Sequence, residues 1–224
     1  MPGYILHLTA AHMFLDTLPK SDPLCRRPDL QNDFYIGNLL PDTVRNKTAS
    51  HFWDPRYLGR MVIWPRPEEF RQKYQDHMHE PVYFGYYLHL YIDKVFFSGY
   101  LPQIVEYLDG NGHPAELRRD ICSVRLKKTG QLLTPEQYLS EEYYYGDYTK
   151  MNTWLCEQYH LPEDLYPAHD PGIVEADYSK VGEIIELLKE YRKVPAEAVR
   201  DVRVFDVEGL MRFLEERVRE VGEW

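Results

Sequence analysis

The stretch Tyr83-Phe84-Gly85-Tyr86-Tyr87-Leu88-His89-Leu90-Tyr91-Ile92-Asp93 constrains this chain more than any other. It reads as an α-helix that is apolar nearly all round, so it belongs inside a core rather than on a surface. Residues four apart share a helix face, which aligns His89 with Asp93. An imidazole and a carboxylate are both costly to bury alone, and each needs a hydrogen bond, an ion pair or a metal. A hydrogen-bonded core pair and a metal site both answer that need. Gly85 stands on the same face one turn earlier, where a missing side chain lets another helix or a ligand come close.

The chain of 224 residues, 44% of them hydrophobic, can bury a substantial core, and it shows no internal repeat, low-complexity tract or linker. A single predominantly α-helical domain over 1–224 is expected. The net charge of −10, from 36 acidic and 26 basic residues, opposes binding to a long nucleic acid, because the basic clusters Lys127-Lys128 and Arg118-Arg119 are short. A small phosphate ester held by a metal meets no such obstacle. Cys25, Cys122 and Cys156 are odd in number and lack CxxC spacing, so free thiols are expected. The N-terminus has no basic segment followed by an apolar core, and the most apolar stretch, 82–108, carries His89, Asp93 and Lys94 in its middle. Neither a secretion signal nor a membrane span is expected, and the expected location is cytoplasmic.

Apolar residues at Leu8, Ala11, Phe14, Leu15 and Leu18 predict an amphipathic helix over 4–18 with His7 near its start. His12 lies five residues on, so at most one of these two histidines faces a common site. Residues 33–40 form a short apolar element that stops at Pro41, with Asp42 on a fixed connection beyond it. His51 follows among aromatic neighbours, which places it half-buried. Residues 66–79 read as a polar helix whose end carries His77 and His79, a solvated terminus before a metal site. Pro81 suits the first turn of the central helix, which would continue to about Leu108 if Pro102 only kinks it. A turn at 109–112, a small β-hairpin within 121–135, a helix or helix pair over 135–160 and a proline-rich loop at 161–173 come next. Two final helices span about 174–191 and 207–221, with Val202-Arg203-Val204-Phe205 as a short strand or extended link between them.

The buried-looking polar residues of the first half are His7, Asp42, His51, His89 and Asp93. Imidazole nitrogen and carboxylate oxygen in these proportions suit zinc, and iron, manganese or nickel would also be accepted.

On the segments Gly37-Asn38-Leu39-Leu40-Pro41-Asp42, Ser50-His51-Phe52 and the GxxxHxxxD run Gly85 to Asp93, with His7-Leu8 near the N-terminus, the sequence resembles the zinc-dependent phospholipase C and S1/P1 nuclease group. The resemblance covers roughly the first 95 residues. It implies an all-α, multi-helix bundle and metal-dependent hydrolysis of phosphoesters. It also implies that His89, Asp93, His51 and Asp42 hold one metal, and that Asp93 bridges to a second metal, also held by His7, where two are present. Secreted members use the amino group of a processed N-terminus, whereas Met1 and Pro2 precede His7 here. They also place a histidine six residues after the bridging aspartate, where this chain has Gly99, and they carry a downstream HxxxE pair that is missing. One or two zinc ions are therefore implied, not three.

In a catalytic site of this kind a metal-activated water attacks phosphorus. Asp42 serves as a ligand, or as a base or orienter behind the ligands, and Lys47 and Arg45 are candidates to neutralise the substrate phosphate. The expected substrate is a small phosphoester; a lipid headgroup is suggested only by the group's name. An HD phosphohydrolase is rejected because the one His-Asp dipeptide, His169-Asp170, lies between prolines. A di-iron carboxylate bundle is rejected because only one ExxH motif, Glu157 to His160, is present. The alternative of another class is a helical binding or structural protein that keeps part of the metal site without turnover.

Overall fold

A computed structural model describes residues 3–222 as a mostly α-helical architecture with one small sheet. Proline decides where several helices begin. Pro28, Pro67, Pro81 and Pro135 each occupy a first helical turn, where the missing N–H leaves no bond unmade and φ is already helical. The long helices are Tyr4–Thr17, Pro28–Leu39, Pro81–Val95, Tyr144–Gln158, Val181–Tyr191 and Val207–Arg219. The first of these is buried from Ile5 to Ala11 without a break, because it packs on Pro28–Leu39, Pro81–Val95, Tyr144–Gln158 and Val207–Arg219 together. His7 is therefore carried inside the core, while His12 turns to Tyr35 and Asp16 on another face.

The central helix ends before its apolar run does. The expected continuation to Leu108 is corrected: Pro81–Val95 passes into a π-helical turn at Phe96–Tyr100 and one last α turn at Leu101–Ile104, and Val105–Leu108 is strand β1. Pro102 lacks the N–H that an α-helix needs, and the wider turn before it absorbs the mismatch. Antiparallel pairing with β2 (Ser123–Leu126) then satisfies the backbone beyond Ile104. The hairpin expected within 121–135 is β2 with β3 (Leu132–Leu133), so the sheet has three strands instead of two.

Other boundaries shift for local reasons. The 33–40 element is the second half of Pro28–Leu39, and a 3₁₀ turn, Leu40–Asp42, follows it. The 66–79 helix is Pro67–Lys73 plus a 3₁₀ turn at Gln75–His77, with His77 exposed and paired to Glu80 at 2.6 Å. The 135–160 region is a pair, Pro135–Tyr138 with a Thr134/Gln137 capping box and then Tyr144–Gln158. The helix expected from 174 starts only at Val181, after a 3₁₀ turn at Tyr178–Lys180. Residues 202–205 are a bent link and not a strand. The buried Asp147 carboxylate takes the place of a neighbouring strand, accepting the backbone N–H groups of Arg203, Val204 and Phe205 at 3.0, 2.6 and 3.3 Å. The three cysteines are free, and no helix among the described residues is long and apolar enough to cross a membrane.

Two glycines set the closest helix contact. A Cβ on Gly37 would stand 2.1 Å from the Val82 carbonyl oxygen, and one on Gly85 would stand 2.2 Å from that of Phe34. The helices Pro28–Leu39 and Pro81–Val95 thus touch backbone to backbone, the close approach expected at Gly85. Alanine is favoured over glycine inside a helix by about 1 kcal/mol, but overpacking against a rigid carbonyl costs more, about 1–3 kcal/mol or beyond. Gly85→Ala is accordingly expected to lose about 2 kcal/mol or more in urea unfolding. Gly182→Ala, where nothing lies within 4 Å of the added methyl, should be neutral or stabilising. Equal stability of the two variants would contradict the contact.

Candidate metal centre

The backbone contact at Gly37 and Gly85 delivers the Asn38 carbonyl oxygen to His89. His89 Nδ1 lies 2.8 Å from that oxygen, which can only accept, so Nδ1 carries the proton and Nε2 presents a lone pair to the interior. This is the arrangement that orients and sharpens an imidazole ligand. His51 is placed by a short helix, Lys47–Ser50, and its Nδ1 meets the Ser50 hydroxyl at 2.9 Å. Tyr86 from the central helix donates to the Ser50 carbonyl oxygen at 2.8 Å and ties this segment down. Expected half-buried, His51 is in fact fully buried, as are His7, His89 and Asp93, because Trp53 and the central helix close over it.

Around His89 the remaining donors converge. His51 Nε2 lies 3.3 Å from His89 Nε2, 3.4 Å from Asp93 Oδ2 and 3.7 Å from Asp42 Oδ1. His89 Nε2 is 3.9 Å from Asp93 Oδ2. His7 Nε2 is 3.2 Å from Asp93 Oδ1, and the His7 ring stacks on that of His89 with centroids 3.7 Å apart. Bonds of about 2.0–2.2 Å in a tetrahedral zinc site imply ligand atoms about 3.3–3.6 Å from one another. The observed separations scatter around that spacing.

Hydrogen bonding leaves four of the cluster's atoms unused. Both Asp93 oxygens and both His7 nitrogens are buried and find no aligned partner among the described residues. A buried carboxylate and imidazole in that state are costly, and a cation between them would engage the carboxylate and one His7 nitrogen at once. The residues present therefore fit a metal ion, as two overlapping sets: His7, His89 and Asp93, and Asp42, His51 and His89. Gly99 offers nothing to either set, since a Cβ there would meet Phe213 of the C-terminal helix.

Burial dominates the electrostatics. It pushes the His89 imidazole down to about 3, so the ring is neutral near pH 7. Burial alone would raise Asp93, but the bonds and charges of His51, His7 and His89 outweigh it and hold the carboxyl well below the usual range. Asp42 is likewise lowered against the pull of burial, by His89, His51 and Lys47. Lys47 lies 2.6 Å from Asp42 Oδ1, with its side chain 18% exposed, so the lysine expected to meet substrate is held on a carboxylate of the site. Arg45 is exposed.

Of the residues singled out by pattern, His7, Asp42, His51, His89 and Asp93 all come together. His77, His79, His169 and His160 do not, and Met1 and Pro2 lie outside the described residues. The supporting partners Asn38, Ser50 and Tyr86 were not singled out as site residues, although they sit inside or beside the quoted motifs. Trp53 and Tyr144 carried no sequence signal beyond being aromatic. Comparisons with protein-family models, curated proteins and solved structures give no match.

Acid titration should expose the buried neutral ring. The folded pKa of His89 lies below its ordinary 6.5, so the unfolded chain binds the extra proton between 6.5 and about 3. Stability then rises with pH through that window. Asp42 and Asp93, depressed on folding, act in the same sense below the ordinary carboxylate value of 3.8. In EDTA the melting temperature is expected to fall steadily from pH 6.5 downward. A flat profile to pH 4 would be incompatible with a buried, neutral His89.

Proposed function

We propose that the chain is a metal-dependent hydrolase of small phosphoesters, with His7, Asp42, His51, His89 and Asp93 holding one or two zinc ions. The observation that carries this reading is the convergence of five ligand-type side chains from three distant segments at ligand-like spacing. The motif resemblance to the zinc-dependent phospholipase C and S1/P1 nuclease group supplies the reaction class. When bound, such a cation polarises a phosphoryl oxygen and acidifies water near neutral pH.

The chain's own residues divide the remaining work. The Asn38 carbonyl and the Ser50 hydroxyl hold His89 and His51 in orientation. Asp42 is the carboxylate at the edge of the cluster, its side chain 7% exposed where that of Asp93 is 1%. Standing behind the ligands instead of among them, it would be the carboxylate that accepts a proton from attacking water. Lys47 beside it balances that carboxylate and brings positive charge to the rim, where a phosphate would arrive.

One observation favours a second reading. The three histidines and Asp93 are wholly buried, and closed sets of four ligands are the mark of structural zinc. In that reading the protein binds metal without turnover.

Elemental analysis of tag-free protein, with hydrolysis of bis(4-nitrophenyl) phosphate, separates the two. Stoichiometric zinc and turnover are expected, both lost in His89→Ala. Asp42→Asn is expected to lower kcat by about 10²–10⁴-fold, the usual contribution of a positioned base. Stoichiometric metal with no hydrolysis across a panel of phosphoesters would select the structural reading. Absence of metal would remove both.

A further inference from the structure

Beside the metal centre lies a cavity of about 280 Å³, lined by Trp53, Met61, Phe97, Leu101, Tyr138 and Tyr144 among others. A second hollow of about 190 Å³ shares Met61, Phe97 and Leu101 with it and extends toward β1. One of the walls stands against the ligand cluster. The Trp53 ring lies 5.7 Å from that of His51.

The turn that carries Trp53 is held in an uncommon conformation. Phe52 has φ of 51°, a left-handed geometry that bulky side chains rarely adopt. Arg66 Nε donates to the Phe52 carbonyl oxygen at 2.8 Å, and the Trp53 N–H donates to that of Thr48 at 3.0 Å. This turn points His51 into the cluster and sets Trp53 against the cavity. The Trp53 indole nitrogen is nevertheless buried without an acceptor among the described residues. A buried indole N–H normally finds a partner, and this one belongs to the residue that stands between the ligand cluster and the hollow, whose lining also includes Arg118.

We infer that this cavity is the subsite for an apolar, ring-sized substituent of the anion held at the cation centre, and that the Trp53 indole N–H donates to an oxygen of that anion. The inference rests on the reading that the five-residue cluster holds a metal. It specifies the substrate class: a phosphoester whose esterified group is aryl or similarly flat and apolar. Aromatic and aliphatic walls next to one unpaired donor are what such a group requires.

The test is calorimetric titration of the zinc-loaded full chain with phenylphosphonate and with methylphosphonate, which share an anionic head and differ only in the group offered to the cavity. Phenylphosphonate is expected to bind at least tenfold more tightly. Met61→Arg, which puts a charged side chain into the half-buried lining, should bring the two within about twofold. Trp53→Phe keeps a ring but removes the donor, and should weaken both phosphonates about tenfold. Zinc content is measured on the same samples. Equal binding of the two phosphonates, no binding by fully zinc-loaded protein, or unchanged binding in Trp53→Phe overturns the subsite while leaving the metal reading standing. Protein that takes up no zinc overturns both.

Discussion

The backbone contact between Gly37 and Gly85 is the constraint on which the centre of this protein depends. With no Cβ on either residue, two helices approach until each glycine faces the other helix's carbonyl oxygen. That separation puts the Asn38 carbonyl at hydrogen-bond distance from His89 Nδ1. The tautomer of His89 follows from it, and so does the lone pair directed at His51 and Asp93. A methyl at either glycine would move the helices apart and withdraw the acceptor. Packing and site chemistry therefore share one cause.

The cluster itself is a problem of buried charge. Two carboxylates and three imidazoles meet in a largely buried space, with Lys47 the one ammonium bonded to them among the described residues. The Asp93 oxygens lack aligned donors there. A cation between them would engage the Asp93 carboxylate and one nitrogen of each neighbouring imidazole. The same burial that makes unpaired charge costly would strengthen any electrostatic interaction made inside the cluster.

Around this centre the rest of the fold acts as a frame. The N-terminal helix, enclosed by four others, carries His7 against the His89 ring. Asp147 pins the 202–205 link by its backbone N–H groups, which sets Phe205 against Tyr144 and Tyr148, 5.5 and 5.0 Å between ring centroids. Those tyrosines in turn bond to each other at 2.9 Å, and Tyr144 walls the cavity next to the cluster. The strained turn at Phe52 is held by Arg66 and by the capped helix before it, so its cost is met by several bonds at once.

The sequence by itself determined the helical class, the buried central helix and the five polar residues that meet, because these depend on local periodicity and on the cost of burying polar groups. His89 and Asp93 share a face by helix geometry alone, and Asp42 is fixed by the proline before it. Only the tertiary structure decided that His7, from a helix far away in sequence, stacks on His89, since that helix is placed by its packing on four others, which periodicity does not encode. It also decided where the central helix stops. The apolar run past Val95 reads equally well as helix or strand, and pairing with Ser123–Leu126 turns its last part into an edge of a sheet. The role of Trp53 was invisible for a related reason: an unmatched indole N–H exists only once its neighbours are in place.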